Sequence, residues 1–171
     1  VGTLTDLRGI QAGIENSNFF VDTLDDGTTR HWVLTVFERL TFEQLPFYLE
    51  LMRHLARRGI PVPMPQADAT GAILHRLAGK PAALVDRLPG GHQLAPDAHH
   101  CAQVGAMLAR MHDAGRDFPL QQPNLRGLAW WVDTVPLVLP HVGPAERALL
   151  GSELAFQQQL AASPAYAALP G

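Results

Sequence analysis

With 171 residues, 47% of them hydrophobic, the chain has apolar material for one ordinary core, or for a small domain and part of another. A net charge of −3 and an isoelectric point near 6.2 supply no basic field for nucleic acid, and no apolar run approaches the roughly 20 residues that a bilayer span needs. The single cysteine, Cys101, forms no internal disulfide and no secretory pattern opens the chain, so a cytoplasmic location is expected; with Val1 in first place, the natural start is expected to have been trimmed.

Residues 4–7 read as an edge strand. The stretch Gly9-Ile10-Gln11-Ala12-Gly13-Ile14-Glu15-Asn16-Ser17-Asn18 then reads as a polar loop, with Phe19, Phe20 and Val21 restarting a strand over 19–24. Its glycines let the backbone approach an anion, and Asn16, Ser17 and Asn18 offer short donors beside turn-competent amides. The same composition also suits a plain hairpin turn. Asp25-Asp26-Gly27 predicts a tight turn into a returning strand over 31–38, rich in β-branched and aromatic residues.

Thr41 reads as the N-cap of a helix. Leu45, Leu49, Met52 and Leu55/Ala56 give its apolar face, and Arg57-Arg58-Gly59 places cations and then glycine at its end. The alternating prolines of Ile60-Pro61-Val62-Pro63-Met64-Pro65 predict an extended connector. Strands follow over 73–77 and 82–88, joined by Ala78-Gly79-Lys80-Pro81, and Pro89-Gly90-Gly91 breaks the pattern. Beyond it the period is helical. One helix covers 95–114, opened by Pro96-Asp97 and closed by Gly115, and further helices cover 128–138 and 144–162. This order predicts an α+β, two-lobe plan, with a β-rich unit over 1–88 and the start of a helical unit over 89–171.

That order resembles the small lobe of protein kinase-like phosphotransferases, in the aminoglycoside and choline kinase-like branch. Five strings together resemble the bacterial homoserine kinases of that branch: Gly13-Ile14-Glu15-Asn16-Ser17-Asn18-Phe19-Phe20-Val21, Val33-Leu34-Thr35-Val36-Phe37-Glu38, Leu45-Pro46-Phe47, Gly59-Ile60-Pro61-Val62-Pro63 and Ala78-Gly79-Lys80-Pro81-Ala82. The resemblance runs from about Gly9 to the chain end. It implies a protein kinase-like fold and transfer of the γ-phosphoryl group of ATP to the hydroxyl of L-homoserine, a step toward threonine, with Mg2+ as the accompanying metal. Such chemistry is mostly positioning and charge neutralisation.

The resemblance also implies site residues. Backbone amides from Gly13, Ile14, Glu15, Asn16, Ser17 and Asn18 would lie over the phosphates. Asp86, Arg87 and Leu88, after Val85, would form the hinge against the adenine edge, and Leu34 and Leu84 would sandwich the ring. Thr35 stands where the family's phosphate-pairing lysine is expected, so it offers a hydroxyl and no charge, and an arginine or the metal would have to neutralise phosphate. Of thirteen basic residues only Lys80 is a lysine, and it is read as a solvated turn residue. Glu43 and Glu50 are both candidates for the family's helix glutamate.

The family's His-x-Asp-x-x-x-x-Asn catalytic loop and its later metal-binding Asp do not occur; His112-Asp113-Ala114 lacks the spacing. No catalytic or metal-ligating residue is therefore assigned within this chain. It is expected to be an inactive piece ending, at Ala168-Leu169-Pro170-Gly171, before that loop, with the Mg2+ ligands beyond it. Two other readings stay open: another small-molecule kinase, acting on an amino alcohol or an aminoglycoside, and a non-catalytic nucleotide-binding module. A truncated chain would leave unpaired apolar positions such as Leu149, Leu154, Phe156 and Leu160, whereas a complete module would end in a polar, capped tail. His99 and His100 beside Cys101 lack a spaced partner for zinc, and Met107, Leu108 and Met111 read as helix core. Trp130 and Trp131 serve either packing or a pocket. The side chain of Asp86 is expected to be free, and that of Glu15 either caps the loop amides or meets a substrate amine.

Overall fold

The computed structural model describes residues 1–11 and 13–168. Ala12, within the glycine segment, and the Leu169-Pro170-Gly171 end lie outside the described residues. Five antiparallel strands, β1 (Thr3–Ile10), β2 (Asn16–Asp25), β3 (Thr28–Phe37), β4 (His75–Leu77) and β5 (Lys80–Asp86), form one sheet in the order β1-β2-β3-β5-β4. The chain divides into two compact units, Val1–Gln121 and Gln122–Gly171.

Local chemistry explains the hairpins. Asp26 and Gly27, at φ 47° and 77°, make a two-residue turn closed by the Asp25 and Thr28 pair. Both residues sit in the left-handed region, the geometry that matches strand twist. Ala78 and Gly79, at φ 50° and 81°, repeat this between β4 and β5, so Lys80 opens a strand instead of sitting in a four-residue turn. Ile73 and Leu74, read as strand, precede β4, and both pack into the core. The polar loop is shorter than its composition suggests: Asn16, Ser17 and Asn18 already belong to β2, opposite Phe37, Val36 and Thr35. Pairing with β3 overrides the turn preference of Asn and Ser.

Helix α1 (Leu45–Arg57) begins after a turn over 42–44, so Thr41 is not its N-cap. The Thr41 carbonyl instead accepts from the Gln44 and Leu45 amides, each at 3.2 Å, while Pro46 fills a first-turn position where a missing N–H costs nothing. The other end is a Schellman cap. The Gly59 amide, at φ 73°, donates to Ala56 and the Ile60 amide to Leu55, and the buried side chains of Ile60 and Leu55 accompany the motif. Leu45 and Leu49, 0% and 2% exposed, form the buried stripe of α1, and Leu49 packs with Ile73 and Ala83 against Phe37, Met52 and Leu74. The proline-rich connector is extended, and its Met64 and Gln66 hydrogen-bond with Asp86 and Leu84 along the stretch of β5 that β4 leaves unpaired.

Helix α2 (Ala98–Gly115) opens on a capping box. The Asp97 carboxylate accepts from the His100 amide at 3.0 Å and stands 2.6 Å from His100 Nδ1. His100 is thus a helix-cap partner, and His99 contacts Gln103. Among the described residues no three His, Cys, Asp or Glu side chains are grouped to hold a metal. Leu108, read as core, is exposed, because α2 is tied to its unit mainly through its end: His54 Nε2 meets the Ala114 carbonyl at 2.9 Å, Arg58 reaches Asp117 at 2.6 Å, and Phe118 packs edge-on against Phe47 and His54.

The second unit holds α3 (Leu128–Val138), a 3₁₀ turn (Leu139–His141), α4 (Pro144–Ala161) and α5 (Pro164–Ala167). Leu149, Phe156 and Leu160 are exposed on α4. Trp131 lines a cavity of about 230 Å³ inside this unit with Gln157 and Tyr166, whereas Trp130 carries the Arg126 guanidinium over its ring. No helix among the described residues is long and apolar enough to cross a membrane.

Candidate functional site

Strand alternation builds the site. Side chains one apart point to opposite faces and those two apart share one. Asn16, Asn18 and Phe20 of β2, Val33, Thr35 and Phe37 of β3, and Val85 of β5 line one cleft of about 580 Å³. Leu49 and Met52 of α1 close one side, and the segment from Asp86 to Gly90 closes another. Its volume falls in the range of small-ligand and cofactor sites.

The cleft has two chemically different parts. Phe20, Val33 and Val85 give an apolar wall, over which the Arg87 guanidinium lies 4.2 Å from the Phe20 ring centroid, a cation–π contact. Asn16, Asn18 and Thr35 give the polar part, where the Thr35 hydroxyl donates to Asn18 Oδ1 at 2.9 Å. Gly13, at φ 108°, carries the glycine segment close by: a side chain there would start 3.6 Å from Asn18 Nδ2.

The same alternation turns several of the expected residues' side chains away from the cleft. Ser17 points away from Asn16 and Asn18, and its hydroxyl donates to Glu38 Oε1 at 2.8 Å, while Lys80 donates to Glu38 Oε2. The hydrogen bond from Lys80, then that from Ser17, holds the Glu38 carboxyl below its ordinary value. Lys80 is therefore ion-paired, not a bare turn residue. Leu34 and Leu84 pair with each other across β3 and β5 and, by the period of two, project from the face opposite Thr35. The apolar wall expected from them comes instead from Phe20, Val33 and Val85. The two-residue period running through Thr35 is the sequence signal that identifies Val33 and Phe37.

The segment expected as the hinge, Asp86, Arg87 and Leu88, lines the cleft, and two of its amides are already hydrogen-bonded. The Asp86 amide donates to Met64 at 3.1 Å and the Arg87 amide to His31 at 3.4 Å. The Asp86 side chain, expected to be free, accepts from Gln66 Nε2 at 2.8 Å. Ile14 is 96% exposed, and Glu15 lies 3.9 Å from Arg39 Nη1. Neither candidate helix glutamate lines the cleft. Glu50 pairs with Arg53 at 2.5 Å beside a different cavity, and Glu43 lies ahead of the helix, its carboxyl lowered chiefly by a hydrogen bond from Thr41.

Beyond the cleft's rim, His31 Nδ1 stands 2.7 Å from Asp22 Oδ1, and Arg8 lies 3.4 Å from the same carboxylate. That carboxyl is lowered first by the His31 hydrogen bond and further by the charges of His31, Arg8 and Arg87.

An antiparallel sheet, one packed helix beneath it and a cleft closed by the strand-to-helix connection together define a kinase-like fold. The phosphotransferase enzyme family model (APH) matches residues 6–170, and the chain belongs to that family. Over 170 residues it is 61% identical to the homoserine kinase of Polaromonas naphthalenivorans (strain CJ2) and over 171 residues 59% identical to that of Cupriavidus pinatubonensis (strain JMP 134 / LMG 1197). These alignments cover 99% and 100% of this chain and 52% of each relative, so the chain spans about half the length of the curated relatives it matches. Among solved structures, amicoumacin kinase hAmiN in complex with AMP-PNP, Ca2+ and Ami shares the fold, with a TM-score of 0.66 and 18% identity over 95% of this chain and 51% of that one.

Proposed function

We propose that the whole protein transfers the γ-phosphoryl group of ATP to the hydroxyl of L-homoserine, a step toward threonine, and that this chain supplies the nucleotide-binding lobe, over 1–88, and the opening helices of the helical lobe, over 89–171. The observation that carries the reading is the match, along essentially the whole chain, to homoserine kinases at 61% and 59% identity. The cleft fits a nucleotide in size and in its division into an apolar and a polar part.

In this reading the adenine lies against Phe20, Val33 and Val85. With the Asp86 and Arg87 amides already used, the Leu88 amide is the hinge donor for the ring edge. The triphosphate runs toward Asn16, Asn18 and the amides of Gly13, Ile14 and Glu15. When bound, Mg2+ neutralises phosphate charge. We assign its ligands, and the carboxylate that accepts the substrate hydroxyl proton, to the half of the relatives' length that this chain does not cover. The acceptor oxygen then bonds the γ-phosphorus as its bond to the β-bridging oxygen breaks, releasing ADP. The protein acts in the cytoplasm.

Two measurements test this. The 171-residue chain should bind AMP-PNP and should not turn over ATP with L-homoserine. A protein of the relatives' full length carrying this sequence should phosphorylate L-homoserine in preference to amino alcohols and aminoglycosides. Preference for one of those acceptors would replace homoserine within the same family, and nucleotide binding with no acceptor turned over by the full-length protein would favour the binding-module reading.

A further inference from the structure

Thr35 stands directly opposite Asn18 in the β2–β3 register, and both line the polar part of the cleft. The Thr35 hydroxyl donates to Asn18 Oδ1 at 2.9 Å, in a half-buried pair. A donor on the carbonyl oxygen of a carboxamide fixes which end of the group faces which way. With Oδ1 held by Thr35, the Nδ2 amino group, which carries two N–H donors and no acceptor, faces the glycine segment, 3.6 Å from where a side chain at Gly13 would begin. The only cation among the described lining residues, Arg87, is stacked on Phe20 in the apolar part. Among the described lining residues the polar part therefore offers an oriented neutral donor, Asn18 Nδ2, and no cation.

We propose that Thr35 is a positioning residue, holding the Asn18 carboxamide so that Nδ2 donates to an anionic oxygen beside Gly13, while Thr35 itself does not touch the ligand. The inference rests on the nucleotide reading of the cleft and assigns a division of labour within it. Threonine suits the place because its hydroxyl is long enough to reach the opposing side chain, and its single proton is spent there. Oriented neutral N–H donors then do what a lysine would do by charge, at the cost of depending on that orientation.

The test measures binding of AMP-PNP and of adenosine to the 171-residue chain in wild-type, T35V, T35S, N18A and T35V/N18A forms. T35V should weaken AMP-PNP about tenfold, the scale of one hydrogen bond to a charged group, and leave adenosine within about twofold. T35S, which keeps the hydroxyl, should restore AMP-PNP affinity. The double variant should bind AMP-PNP no more weakly than N18A, because residues acting as one unit are not additive. Independently of whether T35V folds, the Asn18 side-chain amide resonances of the wild-type chain should shift on addition of AMP-PNP and not of adenosine. Unchanged AMP-PNP affinity in T35V, equal losses for both ligands, multiplying effects of T35V and N18A, or unshifted Asn18 resonances would overturn the proposal. A wild-type chain that binds neither ligand refutes the nucleotide reading, and the inference with it. Wild-type binding with an indifferent T35V refutes the inference alone.

Discussion

Ser17 and Asn18 are adjacent in β2 and have opposite surroundings. Asn18 lines the cleft and is held by Thr35, whereas Ser17 turns to the far face and joins Glu38 and Lys80. Val33 and Leu34 repeat the contrast in β3, one lining the apolar wall and the other paired with Leu84 behind it. Residue type alone would assign Ser17 to phosphate and Leu34 to the ring as readily as their neighbours. The two faces differ through register, and a slip of one residue would exchange them.

The strongest way to break this contrast is to loosen what pins the sheet to α1. Leu49→Ala, at a residue 2% exposed beneath the cleft, should cost about 3 kcal/mol of stability and lower the melting temperature by several degrees. A loss below about 1 kcal/mol would mean that the site collapses around the cavity. The next effect compares neighbours directly. Asn18→Ala should weaken AMP-PNP binding about tenfold, near 1.4 kcal/mol, while Ser17→Ala stays within about twofold. Equal losses for the two would erase the distinction between faces.

A smaller effect concerns the β4–β5 turn that sets the register of β5. Ala78, at φ 50°, occupies a left-handed position that disfavours side chains by about 1 kcal/mol, partly offset by the greater freedom glycine has when unfolded. Ala78→Gly should therefore stabilise the chain by a few tenths of a kcal/mol in denaturant melts. The smallest effect lies on the far face. Since Lys80 and Ser17 lower the Glu38 carboxyl, its stabilisation is complete above the ordinary carboxylate range and is lost as pH falls through the depressed folded-state value. Lys80→Met should melt slightly below the parent at neutral pH, converge with it in acid and leave AMP-PNP affinity unchanged. A gap that persists in acid would mean that the pair is not its source.

The strands, the proline connector and the start of α2 at Asp97 are legible because each carries its own local cause. Asp-Gly needs a tight turn, alternating prolines cannot be helical, and Asp97 caps the first amides of its helix. The helix start at Thr41 is misleading, because a threonine followed by glutamate resembles a cap even when the carbonyl, not the hydroxyl, receives the helix amides. The glycine segment is legible as a candidate anion-binding turn and illegible in length, since Asn16, Ser17 and Asn18 prefer turns by themselves and become strand only through pairing with β3.

The sequence by itself determined the α+β order, the kinase-like family and the absence of a lysine at Thr35, because these follow from local propensity, from residue identity and from strings read in order. Only the tertiary structure decided which of those residues meet. Thr35 reaching Asn18, Arg87 lying over Phe20 and Gln66 occupying the Asp86 side chain all join positions 17, 67 and 20 apart. Such contacts depend on strand register and on the closure of the connector onto β5, and no local preference encodes either.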